Sequence, residues 1–133
     1  FQMNFAIFFM LEIEQLWEAE PQYDERAALC QLESLVTEYK DSKAYMQRVK
    51  KRQVENAIIT HSVDLVEVGH ESDVLSIVGR LNPEARKSDR EGLASLLKWV
   101  VKLRNDPPKQ LSEDDVIFAG RTIRTKFELF FSW

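Results

Sequence analysis

The sequence predicts an all-α fold, a compact bundle of five or six helices arranged around one long central helix. Two apolar stripes at helical spacing carry that expectation, one from Ala28 to Gln53 and one from Leu93 to Leu103. The third support is a scarcity of chain breakers: four Gly and four Pro in 133 residues favour long helices over many short strands. At this length a chain buries roughly two-thirds of its unfolded surface in one core, so a single domain over residues 3–133 is expected. Phe1-Gln2 ahead of Met3 reads as the remnant of a cleavable purification tag and is set aside.

Asn4 is placed to cap a first helix running to Glu18, with Pro21 as its stop, because the residue before a proline is pushed out of helical geometry. The same stretch also alternates at Phe5, Ile7, Phe9, Leu11 and Ile13 in the period of a strand. The long central helix is expected from about Pro21 towards Thr60. Ala28, Leu32, Leu35, Tyr39, Ser42, Met46, Val49 and Gln53 follow one another there at steps of four and three, the a/d seam of a coiled coil. Ser42 and Gln53 weaken the seam, and Lys40-Asp41-Ser42 is where a break would fall.

A loop is expected around Gly69-His70 and a short helix over Val74–Val78, capped by Ser72 or Asp73 and ended by Gly79 as a left-handed residue. Asn82-Pro83 has the cap-then-proline order that opens a further turn or two of helix. Leu93, Leu96, Leu97, Val100 and Leu103 then mark a helix from about Ser88 to Arg104, ended by Asn105-Asp106-Pro107-Pro108. Ser112 with Asp115 three positions on resembles a capping box that opens the last helix. Ile123, Phe127, Phe130 and Phe131 suit that helix. Ile123, Thr125, Phe127, Leu129, Phe131 and Trp133 also alternate, so the alternative fold is α+β, with strands 5–13 and 123–133 paired.

Composition narrows function mainly by exclusion. A single cysteine, Cys30, has no internal partner, so no oxidising compartment is called for and an intracellular, cytoplasmic or nuclear, protein is expected. The apolar run Phe5–Leu11 is too short to span a bilayer, and no membrane association is expected. Cys30 sits in an apolar-flanked helical stretch where a buried, inert thiol is expected. The glycines are too scattered for a phosphate loop, and no Ser occupies a nucleophile elbow.

His61, Asp64, Glu67 and His70 are spaced by threes, and Glu67 with His70 has the Glu-x-x-His form used by carboxylate-bridged metal bundles. That architecture needs a second such motif, and the chain has two His in all. An exposed polar surface is the expectation, with no metal, no cofactor and no catalytic residue.

Two features point to binding instead. Phe8, Phe9 and Trp17 at one end, with Phe127, Phe130, Phe131 and Trp133 at the other, form an aromatic surplus that a small core has to hide or share. The seam residues Leu32, Leu35, Tyr39, Met46 and Val49 offer a second shared surface. Both suggest a non-catalytic protein-interaction module of adaptor or inhibitor type, acting as a homodimer or with a protein partner. The alternative is a nucleic-acid-binding helical protein. Net charge is −4, yet residues 40–52 hold six basic residues against one acidic, and Lys43, Arg48, Lys50, Lys51 and Arg52, with Tyr39 and Tyr45 interleaved, suit a phosphate backbone. Residues 1–25 carry acidic side chains and no basic ones, a complement within the chain or between two chains.

Overall fold

The computed structural model describes residues 23–106 and 112–133. It contains five helices: α1 Glu25–Ser42, α2 Arg48–Glu67, α3 Glu71–Gly79, α4 Lys87–Asn105 and α5 Glu113–Phe131. No strand occurs among the described residues. The α2 helix is the hub, packing against each of the other four, with α1 and α4 as its main neighbours. None of the described helices is long and apolar enough to cross a membrane.

The single long helix expected from Pro21 to Thr60 is instead two helices. After Ser42 the backbone leaves the α1 ladder. The Ser42 carbonyl accepts from Tyr45 N–H at 2.9 Å and Met46 N–H at 3.0 Å, and extended Gln47 (φ −64°, ψ 148°) restarts the chain as α2. The break carries neither Gly nor Pro, so packing rather than local propensity dictates it. Folding back sets α2 antiparallel on α1, and the seam closes on its own chain: Leu32, Val36 and Tyr39 of α1 share one core with Val54 and Ile58 of α2.

The remaining junctions follow local rules. Gly69 (φ +95°) ends α2 in a Schellman motif, with His70 N–H donating to the Leu65 carbonyl and Gly69 N–H to that of Val66. A Cβ at Gly69 would meet no neighbour within 4 Å, so its left-handed backbone is what calls for glycine. Gly79 differs from expectation: its φ is not positive, and the chain leaves α3 through a turn at Arg80 and Leu81. Asn82-Pro83-Glu84 forms one turn rather than a helix. There the Asn82 carboxamide accepts from Glu84 N–H at 3.1 Å and donates to the Leu129 carbonyl at 2.9 Å, a clamp on the last turn of α5.

The helix α4 buries Leu93, Ala94 and Leu97, with Leu96 and Val100 packed partly against the core. The capping box that opens α5 has the expected partners: Ser112 Oγ accepts from Asp115 N–H at 3.2 Å, and Asp115 Oδ2 accepts from Ser112 N–H at 3.2 Å.

Residues 123–131 are helical, which overturns the strand alternative at this end; residues 5–13 lie outside the described residues. Helix prevails because Ile123, Phe127, Phe130 and Phe131 recur at steps of four, three and one on a single face, and all four are buried. Phe131 packs on Phe127 at 5.5 Å and on Tyr39 at 5.2 Å between ring centroids. The carboxyl end of α5 is thereby welded into the angle between α1 and α2.

Candidate functional site

A buried polar network sits where α1, α2 and α5 meet. Glu55 of α2 is 6% exposed, a costly place for a carboxylate unless it is paired. Two partners meet that need, and a third residue steadies one of them. The Tyr39 hydroxyl donates to Glu55 Oε2 at 2.6 Å, the Arg124 guanidinium pairs with Glu55 Oε1, and Arg124 also donates to Asn56 Oδ1 at 3.1 Å. Burial pushes the Tyr39 phenol well above its ordinary range, and the bonded, charged Glu55 carboxylate adds to the shift. Tyr39 therefore stays a donor at any ordinary pH. Lys43 closes the network from outside, donating to the Phe131 carbonyl at 3.2 Å, where a cation suits the negative end of α5.

Arg124 also lines a cleft of about 610 Å³ between the first turns of α2 and the carboxyl-terminal half of α5. Its walls carry Arg48, Lys51 and Arg52, with Glu55 and Glu128 as the acidic lining. Of the basic residues expected to act together, these three converge; Lys43 is spent on α5, and Lys50 turns towards Glu38 of α1 at 3.9 Å. The first turn of α2 holds no acidic residue. Cations there oppose the helix dipole at a cost of roughly 0.3–1 kcal/mol each, so stability alone does not explain the arrangement. Sequence reasoning missed Arg124, which lies 69 positions beyond its partner Glu55; only the hairpin of α1 and α2 against α5 joins them.

The other expected sites disperse. Leu32 and Tyr39 of the seam are core residues, Leu35 and Met46 are half-buried against that core, and Val49 is 70% exposed. The seam is therefore not one continuous surface. Phe127, Phe130 and Phe131 are likewise buried, leaving Trp133 exposed; Phe8, Phe9 and Trp17 lie outside the described residues. Cys30 is exposed rather than buried. It stands two positions from core-facing Ala28 and two from Leu32, about 200° around the helix from each.

The polar cluster around His61 is taken up by ties between helices. Asp64 and Glu67 of α2 both pair with Arg104 of α4, while His61 Nδ1 is buried with no hydrogen-bond partner among the described residues. His70 bridges Asp73 at 3.1 Å and Glu25 of α1 at 3.3 Å. No grouping of three metal-ligating side chains occurs among the described residues.

Its hydrogen bonds to Asp73 and then Glu25 raise the His70 pKa above the ordinary imidazole value. The folded state thus holds the proton more tightly than the unfolded chain. The stabilisation is complete below about pH 6.5 and is lost as pH rises through the folded pKa. Urea unfolding midpoints are expected to fall from about pH 6 to pH 8, and His70→Gln should flatten that part of the profile. An unchanged slope in the variant would show that the bridge contributes nothing.

Surplus apolar surface appears outside the seam. Val116, Ile117 and Phe118, in the amino-terminal half of α5, are 55%, 46% and 65% exposed. In the sequence Phe118 counts among the aromatics near the carboxyl end, and Val116 and Ile117 read as part of the helix opened at Ser112. Comparison of the chain with protein-family models, with curated proteins and with solved structures finds no match, and function has to be read from these surfaces themselves.

Proposed function

We propose that the protein is a non-catalytic interaction module of adaptor or inhibitor type, and that it docks through the amino-terminal half of α5. The observation that supports this reading is the consecutive exposure of Val116, Ile117 and Phe118. Successive residues on a helix point about 100° apart, so three in a row cover more than half its circumference. A helix segment apolar over that much of its surface is normally a buried one. The chemically versatile side chains fit the same reading, since Asp64 and Glu67 are paired with Arg104 and His70 with Glu25 and Asp73, ties that hold helices together.

A second copy of the chain is the first occupant to test. Sedimentation over a hundredfold concentration range is expected to show a mass rising from 15.6 kDa towards twice that value. Ile117→Lys and Phe118→Lys should each weaken the dimer at least about tenfold, because burying a large apolar side chain contributes roughly 1.5–3 kcal/mol. A mass fixed at 15.6 kDa removes the homodimer and leaves only a different protein as partner. A dimer indifferent to both substitutions overturns α5 as the docking element.

A further inference from the structure

We infer that the cleft between α2 and α5 holds the phosphate backbone of single-stranded nucleic acid, with Tyr45 stacking on one of its bases. This site is separate from the docking half of α5. Arg48, Lys51 and Arg52 line the cleft and have no ion-pair partner among the described residues. Arg124, their fourth cation, is held in place by Glu55 and Asn56, so its position does not depend on ligand. Guanidinium groups match phosphate oxygens two at a time, which a lone ammonium cannot do. Of the two carboxylates in the lining, Glu55 and Arg124 neutralise each other and Glu128 approaches Arg124 at 3.9 Å, so Arg48, Lys51 and Arg52 outweigh the one carboxylate that remains. The cleft therefore presents a net positive wall on a chain whose overall charge is −4.

The aromatic neighbour selects among anions. Tyr45 is 88% exposed in the connection between α1 and α2, whereas Tyr39, the other aromatic of the basic segment, is committed to the core. Three peptide units separate Tyr45 from Arg48, a span of at most about 11 Å. An exposed ring within that reach of a cationic groove is the pairing that single strands use: cations follow the backbone and the aromatic takes a base of any identity. Val49, 70% exposed beside Arg48 in the cleft lining, adds an apolar contact for sugar or base. An acidic peptide would use the cations but offers Tyr45 no planar partner. Duplex DNA keeps its bases stacked away from it.

The test uses the full chain with a labelled oligothymidylate, a duplex of equal length and poly-glutamate of matched charge, over about 50–200 mM salt. The single strand is expected to bind with log K falling linearly in log salt. Arg48→Ala, Lys51→Ala and Arg52→Ala, at two exposed positions and one half-buried position of α2, should each reduce that slope by about 0.7. Lys50→Ala, which faces Glu38 instead, should leave the slope unchanged. Tyr45→Ala should weaken binding about 5- to 100-fold by a factor independent of salt, with circular dichroism confirming that each variant is folded. No binding at the lowest salt overturns the inference. So does equal affinity for duplex or poly-glutamate, or a Tyr45→Ala variant that binds like the parent.

Discussion

Replacing Phe127 by alanine is expected to cost about 3–5 kcal/mol of stability, which for a chain of this length lowers the melting temperature by roughly 10–18 °C. The side chain is fully buried, stacks on Phe131, and lies on the one face by which α5 joins the core. Removing it forfeits the transfer free energy of the ring and leaves a cavity that the flanking Phe130 and Phe131 cannot fill without abandoning their own contacts. Phe118→Ala on the same helix should stay within about 0.5 kcal/mol for the monomer, since Phe118 is 65% exposed. Thermal and urea unfolding of the two variants side by side checks both values. Equal losses would mean that α5 is seated along its whole length, and the exposure that supports its docking role would be refuted.

That contrast within one helix shows where sequence pattern stops being informative. Periodicity identifies α4 and its stripe from Leu93, and capping chemistry identifies the start of α5 at Ser112, because both depend on neighbours three or four positions apart. The break around Gly69-His70 was also readable, though the left-handed glycine was expected at Gly79 and the helix before it was expected to end near Thr60 rather than at Glu67. By contrast, the seam from Ala28 to Gln53 satisfied a helical period throughout, yet the chain turns back within it. Period reports which face is apolar; it does not report whether that face meets a second molecule or its own continuation.

The polar core was similarly hidden. Glu55 looked like one more charged position on a helix, and its role depends on Tyr39 and Arg124, which are 16 positions before it and 69 after it. The basic cleft was half legible: Arg48, Lys51 and Arg52 were singled out by local charge, but the fourth cation comes from α5. Gly92 is a smaller instance, since a Cβ there would come within 3.0 Å of Lys126 Cε. That neighbour sits 34 positions further on, invisible to any local window, and the flexible end of its side chain can swing aside.

Glu55→Ala is the other substitution expected to have a large effect, of the order of 3–5 kcal/mol. It removes the only carboxylate facing Arg124 from within the core and strands the Tyr39 hydroxyl, which retains a long contact of 3.3 Å to the Phe131 carbonyl. Most of the loss comes from the partners left behind: the buried Tyr39 hydroxyl loses its charged acceptor, and the half-buried Arg124 keeps only Asn56 and a longer contact of 3.9 Å to Glu128. The combination Glu55→Leu, Arg124→Leu and Tyr39→Phe takes away the stranded groups together with the carboxylate. It should recover most of the stability, because apolar replacements of a buried ion pair are often neutral or stabilising. Urea denaturation of the single and triple variants gives the comparison directly. A triple variant as unstable as Glu55→Ala would show that the network contributes net stability of its own. Recovery would show instead that the pair is kept for what it positions, and Arg124 in the lining of the basic cleft is the group it holds in place.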